Sequence, residues 1–291
     1  GDPHGIRVAE LTTRIVQVIE VPRLRLGDFL RMPESGQVAV YYLVGDPDDT
    51  TGQRVYIGQS GELRSRLSSH NRDKDFWQHA LVLVSKTNSL TQTHALFLEW
   101  ASIQAVRQAG RYGDENGNAG NKPFTPAPLQ ADCHEIFETG RTLLTTLGYP
   151  IFDPLTRRAA GVAGEGREGG DHGGSEDEVF FCRVPNTDGR GQLTDEGFVV
   201  LKGSVGRREV VPSARDGWIE IARAELIASG HLREEGETIV FERDKLFNSP
   251  SGGAMLLLGR TANGWLEWKD ERGRTLDELK RQNGEGAEAQ P

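Results

Sequence analysis

The 291-residue sequence has two cysteines and no apolar run near the roughly 20 residues that a membrane-spanning helix needs. An integral helical membrane protein and a disulfide scaffold are therefore excluded. Cys133 and Cys182 stand too far apart to read as a metal-binding spacing. The N-terminus lacks the basic region and apolar core of a secretory signal, so cytoplasm is the expected compartment. Positive charge is not in excess either: 34 Lys and Arg face 43 Asp and Glu, for a net charge of -9. That argues against a protein that coats nucleic acid by bulk charge, but not against a nuclease whose basic residues are gathered locally. A chain this long exceeds what one core usually organises, so two domains are expected.

The charge that is present is unevenly placed. Arg158 to Val179, RAAGVAGEGREGGDHGGSEDEV, holds two basic and six acidic side chains and almost nothing to bury. It reads as an acidic Gly-rich linker over 158–179, between domains at 1–157 and 180–282. A tail at 283–291 is expected to be disordered. Each folded half is then close to neutral.

In the first half, QVAVYYLV (37–44) and RVYIG (54–58) have strand composition and flank the turn-forming GDPDDTTG, which predicts a β-hairpin. Ser60 is placed to cap a helix with Leu63 and Leu67 at helical spacing. ALVLVS (80–85) reads as a buried central strand, and Thr91 to Ala109 as a second helix. The order strand, strand, helix, strand, helix predicts an α/β or α+β sandwich with a small mixed or antiparallel sheet.

Three polar features stand out from this scaffold. Arg66 and His70, four apart, share one helix face, as a solvated polar edge or as a functional pair. Glu99, within ALFLEWASI, emerges on or beside an apolar face, where a carboxylate costs several kcal/mol unless it is paired or bound to a cation. It is either a rim carboxylate paired with Arg or a metal ligand. Tyr41 or Tyr42 faces Tyr56 across the hairpin, and tyrosine in strands usually packs. Their joint occurrence favours a functional constellation.

Ala39-Val40-Tyr41, Tyr56-Ile57-Gly58, Arg66, His70 and Glu99, in that order and spacing, resemble the GIY-YIG nuclease family over about Gln37 to Gly110. Ala39 stands where the first motif usually has Gly. The family's Asn after the second helix falls on Asn118 or Asn121, with Asn121 favoured. HNRDKDFWQHALVLVSKTNSL (70–90), the dipeptide Pro22-Arg23 within a strand-like segment at 14–29, and LLTTLGYPIFDP (143–154) resemble a bacterial branch of that family bearing a second domain. The resemblance implies a GIY-YIG fold and a metal-dependent DNA endonuclease. Glu99 would hold Mg²⁺ or Mn²⁺ with waters, since hard cations take oxygen ligands. Arg66 would bind the phosphate oxygens. His70 would serve as base or base partner, Tyr56 would position water and Tyr41 would touch the phosphate. Which of these three is the general base is left open. Arg64, Arg72 and Lys74 form a basic edge for DNA, and Asn121 joins them as a substrate-binding residue. Phe76 and Trp77 beside them are either a stacking platform or core.

In the second half, VFFCRV and GFVVLKGS read as strands joined by a turn-rich NTDGRGQLTDE. IEIARAELIAS reads as a helix, with a strand near 237–242, a helix from Ser249-Pro250-Ser251, and a final strand and short helix after Asn263-Gly264-Trp265. A compact α+β domain is expected. From Gly197 to Lys280, the stretches LIASGHL, FNSPSGGAMLLLG, ANGWLEWK and GRTLDEL resemble DUF4357 and the domain associated with restriction enzymes and adenine methylases. Ser249-Pro250-Ser251 either presents backbone N–H groups to a phosphate or only starts a helix. Trp265 and Trp268 are core or a stacking surface. The expected function is restriction or defence against foreign or modified DNA. A repair nuclease on branched or single-stranded DNA and a non-catalytic DNA-binding regulator are the competing readings. DNA is the expected partner, with a homodimer or another defence protein as further candidates and no membrane.

Overall fold

The computed structural model describes residues 5–45, 53–118, 120–156, 178–214 and 217–282. The expected turn after Gly45, the acidic linker except its last two residues, and the C-terminal tail lie outside the described residues. The chain is mixed α/β, with two antiparallel-rich sheets. Described residues up to Asp153 belong to one compact unit and those from Pro154 to a second.

The first unit runs β1 (Arg7–Glu10), β2 (Val16–Pro22), a single turn α1 (Leu26–Phe29), β3 (Ala39–Val44), β4 (Arg54–Ser60), α2 (Leu63–Asp73), β5 (His79–Ser85), α3 (Gln92–Ala109), β6 (Gly113–Asp114) and α4 (Ala127–Thr146). Its six strands lie in the order β1-β2-β5-β3-β4-β6. All neighbours are antiparallel except β4 and β6. The continuous apolar run of β5 suits its central place, since both its faces are covered. The sheet is larger than the hairpin and central strand alone predicted, because β2 pairs with β5 along its full length from Val16↔Ser85 to Pro22↔His79.

Alternation sorts the side chains to two faces. Val18, Val40, Tyr42, Leu81 and Leu83 pack with α3 and α4, whereas Ile19, Tyr41, Leu43, Val82, Leu63, Leu67 and Trp77 form the opposite core. The Tyr42 hydroxyl meets Ser102 Oγ at 3.1 Å on the α3 side, so Tyr41 is the tyrosine that faces Tyr56. Helix α3 opens with Thr91 and His94 in a reciprocal cap and ends at Gly110, whose φ of 66° suits glycine. The cap of α2 differs from expectation: Glu62 accepts from Ser65 N, while Ser60 Oγ accepts from Glu62 N at 3.0 Å.

Glu20 on β2 is 2% exposed and faces the α4 side of the sheet. Burial alone would raise its pKa, but His79, Arg7 and Tyr149 outweigh that and hold it at about 2. Tyr149 Oη donates to Oε1 at 2.9 Å, Arg7 Nη2 lies 2.5 Å from Oε2, and His79 Nδ1 lies 3.2 Å from Oε1. A depressed folded-state value adds stability above the unfolded value of 4.5 that is lost as pH falls toward 2. We expect about 2–3 kcal/mol of acid-sensitive stability from this group. Urea titrations at pH 7 and pH 3 check it: Glu20→Gln should flatten the difference, and an unchanged difference would refute the assignment.

The second unit comprises β7 (Val179–Val184), β8 (Thr187–Thr194), β9 (Gly197–Val200), β10 (Val205–Arg207), α5 (Trp218–Ala228), β11 (Leu232–Glu235), β12 (Thr238–Phe241), β13 (Lys245–Phe247), α6 (Pro250–Leu258) and α7 (Gly264–Glu267). Its sheet order is β11-β12-β10-β8-β9-β13, with β7 also on β8. The segment expected as a turn-rich connection is thus β8, which pairs with three other strands. Its glycines serve close packing: a Cβ on Gly189 would lie 2.5 Å from Leu257 Cδ1, and one on Gly191 would lie 2.3 Å from Phe198 Cε1. After Asn263, the single-turn α7 is followed by isolated bridges at Lys269 in place of the expected final strand.

Ser249, Pro250 and Ser251 build a joint between α6 and α7. Ser249 Oγ accepts from Gly252 N, Ser251 Oγ accepts from Gly264 N at 3.0 Å, and Trp268 Nε1 donates to Pro250 O at 2.9 Å. Gly264 passes so close that a Cβ would lie 2.2 Å from the Pro250 carbonyl carbon. Trp268 is fully buried and Trp265 packs against the same core.

Candidate functional site

The hairpin register pairs Tyr41 with Gly58 and Leu43 with Tyr56, which puts Tyr41 and Tyr56 on one face, ring centroids 6.5 Å apart. A Cβ at residue 58 would lie 2.3 Å from Tyr41 Oη, so only glycine leaves room for the phenol across the strand. Helix α2 lies over that face and brings in Arg66 and His70 from adjacent turns. Arg66 Nε donates to Tyr41 Oη at 3.2 Å, and Tyr41 Oη lies 2.9 Å from His70 Nε2. A guanidinium only donates, so the Tyr41 oxygen accepts from Arg66, while the direction of its bond with His70 follows the imidazole tautomer. The result is a linked row of Arg66, Tyr41 and His70.

Electrostatics keep that chain in one protonation state. Burial pushes the His70 pKa down to about 4, helped by the nearby Arg66 and Lys74 cations. Burial pushes Tyr41 up to about 12, against the opposing hydrogen bond from Arg66. Tyr41 is 0% and His70 6% exposed, so both are enclosed and hydrogen-bonded to each other, and Arg66 and Tyr56 are the members of this group that reach solvent.

The groups that reach solvent are Tyr56, Arg66, Lys74 and Glu99. The Arg66 guanidinium also lies within electrostatic reach of Tyr56. His70 meets the Tyr56 ring edge-on at 5.1 Å between centroids, and Lys74 Nζ sits 4.1 Å from the Tyr56 ring centroid. Half-buried Glu99, on α3, has its pKa raised by burial, moderated by the Gln59 backbone N–H and the Arg66 charge. A half-buried carboxylate thus lies within electrostatic reach of an exposed guanidinium, with a lysine ammonium over the Tyr56 ring.

No group of three or more His, Cys, Asp or Glu side chains is placed to hold a metal among the described residues. Glu99 alone is a donor set that suits Mg²⁺, which keeps several waters, and a cation there would offset the cost of burying the carboxylate.

Other predicted site residues stand apart from this centre. Arg64 Nε donates to buried Ser35 at 2.7 Å. Arg72 is exposed, six residues beyond Arg66 and about a third of a turn away around α2. Asn121 is exposed, and Asn118 Oδ1 accepts from Gly120 N at 3.1 Å. The asparagine that touches the centre is Asn116. Its Oδ1 accepts from Ile57 N at 2.9 Å and its Nδ2 donates to Ile57 O at 2.5 Å, gripping the strand between Tyr56 and Gly58. The Asn-Gly pair at 116–117, with Gly117 at φ 64°, was the signal available in the sequence.

Arg23 also acts at a distance. It donates to Asn71 Oδ1 at 2.9 Å, to Asn71 O at 2.8 Å, and to Asp75 O and Trp77 O at 3.1 Å each, with Cζ 4.8 Å over the Trp77 ring. Trp77 is fully buried and donates to His70 O at 3.4 Å, so it is core that supports the α2 exit. Phe76 packs beside it under Arg54.

Residues 180–280 match the model of a family described as Domain of unknown function (DUF4357), so the second unit carries that domain. No curated protein and no solved structure matches the chain. No described helix is long and apolar enough to cross a membrane.

Proposed function

We propose that the first unit is a metal-dependent DNA endonuclease of the GIY-YIG type. The observation that carries this reading is the Arg66 guanidinium, held by the Tyr41 hydroxyl and still solvent-facing within electrostatic reach of the half-buried Glu99 carboxylate. A phosphodiester is the anion such a site suits, because a planar guanidinium matches two of its oxygens while the carboxylate offers a hard-cation position. Arg66 binds the non-bridging oxygens and stabilises the charge that grows there during in-line attack. Lys74 adds a second positive charge near the same phosphate. Tyr56 orients the attacking water from the solvent-facing side, while Tyr41 and His70 lock Arg66 in place. Bound by Glu99 and waters, Mg²⁺ or Mn²⁺ would supply Lewis-acid charge at the phosphate and the leaving 3'-oxygen.

The brace also carries a pH consequence. His70 stays neutral down to about pH 4, so no positive charge develops on it beside Tyr41 and Arg66 across the physiological range. Restriction or defence against foreign or modified DNA is the proposed setting, supported by the resemblance of the sequence at 197–280 to the domain associated with restriction enzymes and adenine methylases.

The test is incubation with plasmid, branched, single-stranded and base-modified DNA in Mg²⁺, Mn²⁺ and EDTA. Wild-type chain should cut in metal and not in EDTA, and Glu99→Ala should cut at least about a hundredfold more slowly. Equal cutting by Glu99→Ala would remove Glu99 from the site. Binding without cutting of any substrate would favour a regulatory DNA-binding protein, and cutting confined to branched DNA would move the setting to repair.

A further inference from the structure

Helix α2 buries Leu63, Leu67 and His70 and carries Arg64 and Arg66 on its two flanks. At about 100° per residue the two arginines stand about 160° apart, one on each side of the buried stripe. Both are held by the same device. Arg64 Nε donates to Ser35 Oγ at 2.7 Å, and Arg66 Nε donates to Tyr41 Oη at 3.2 Å. Ser35 and Tyr41 are each 0% exposed, whereas both arginines are exposed. Each guanidinium is thus fastened by its inner nitrogen to a fully buried hydroxyl. The outer N–H pair is the edge that matches two phosphate oxygens. A helix face that is only solvated has no need of such anchors, and finding one on each flank marks the pair as a paired grip.

Between the flanks, the side of α2 opposite the buried stripe carries Ser65, Ser68, Ser69 and Arg72. No large apolar side chain stands there to hold off an approaching surface. The acids at the two ends are turned onto the helix itself: Glu62 accepts from Ser65 N, and Asp73 accepts from Ser69 Oγ at 2.9 Å. Arg72 lies about a third of a turn from Arg66 and about 80° from Arg64, between the two on the outer side. Arg23 pins the exit of the helix through Asn71.

We infer that α2 enters the major groove of duplex DNA, with Arg64 and Arg66 on the phosphates of the two strands that border the groove and Arg72 on a guanine edge. An α-helix about 10–12 Å across fits a groove about 12 Å wide, and its flanks then meet both backbones. Arginine takes guanine O6 and N7 together, and serine hydroxyls meet the edge of any base. A single strand offers one backbone where the helix has two grips, and the major groove of duplex RNA is too narrow to admit it. The inference deepens the phosphodiesterase reading and rests on it for one point, that the strand on the Arg66 flank is the one cut.

Anisotropy with full-length protein in EDTA reads binding without cleavage, using a labelled DNA duplex, its single strand and the RNA duplex of the same sequence across a salt series. Duplex DNA should bind tightest. Arg64→Ala should lower its salt slope by about 0.9, the signature of one lost phosphate contact, by the same amount for every sequence. Arg64→Lys should keep the slope and recover only part of the affinity, since an ammonium cannot hold Ser35 and a phosphate in the same way. Selection from a pool of random duplexes should enrich a guanine-containing sequence, and Arg72→Ala should bind it about five- to a hundredfold more weakly while its binding to the unselected pool changes little. Tighter binding of the single strand or the RNA duplex would overturn the inference, as would no duplex binding by wild type, an unchanged slope in Arg64→Ala, or the same enriched sequence from Arg72→Ala. A chain that meets all these expectations yet cuts no DNA in Mg²⁺ would uphold the groove contact while removing the nuclease reading.

Discussion

Replacing Arg66 by alanine should slow metal-dependent DNA cleavage about a hundred- to a thousandfold, measured as single-turnover rate at saturating protein. In the proposed reaction the charge lost is the one that binds the phosphate, and its contribution grows as the transition state forms. Folding should survive, because Arg66 is exposed and Tyr41 keeps its hydrogen bond with His70 at 2.9 Å. Arg66→Lys should recover little of the rate. A lysine ammonium is a point donor and cannot reach the Tyr41 hydroxyl through Nε while presenting two parallel N–H groups to a phosphate. Full activity in either variant, with a melting curve like that of wild type, would mean that the phosphate lies elsewhere.

Gly58→Ala should do damage of a different kind. The new Cβ would lie 2.3 Å from Tyr41 Oη and 2.4 Å from Cζ, and the Tyr41 ring is completely enclosed. Either the β3–β4 pair parts or the phenol tilts away, at a cost of about 1–3 kcal/mol or more in chemical denaturation. Tilting Tyr41 breaks its contacts with Arg66 and His70 together, so activity should fall further than the stability loss alone explains. A second change, Tyr41→Val, removes the ring that the methyl strikes. In the Tyr41→Val background Gly58→Ala should cost much less stability than it does in the wild type, while activity stays low in both. An equal cost of Gly58→Ala in the two backgrounds would place the strain somewhere other than this contact.

Much of the centre could be read from residue spacing. Alternation along 39–44 and 54–60 put two tyrosines on one face, and a four-residue interval put Arg66 and His70 together. What spacing cannot convey is which lone pair is already used. The residue spacing does not show that Tyr41 Oη and His70 Nε2 are bonded to each other at 2.9 Å and that both side chains are buried. Asn116 was masked by composition, since several asparagines and glycines crowd 116–121 and only the fold shows which one meets Ile57. In the second unit, the glycines of β8 mark places where Leu257 and Phe198 press against the backbone, and a local reading assigns such residues to turns. The Glu20 cluster draws on Arg7, His79 and Tyr149, spread over most of the unit's length, and no local pattern joins them.

The strand order bears on where this unit begins as a folding entity. The residues resembling a nuclease begin near Gln37, yet β2 zips along the whole of β5, and Arg23 fastens the far end of the helix that carries Arg66. Chemical motif and foldable piece have different edges here. Strands β1 and β2 form a wall of the sheet, and without them β5 would offer a bare, strongly apolar edge to any other strand in reach. For the same reason a catalytic segment lifted out at its motif boundaries and grafted onto another protein would leave part of its own support behind.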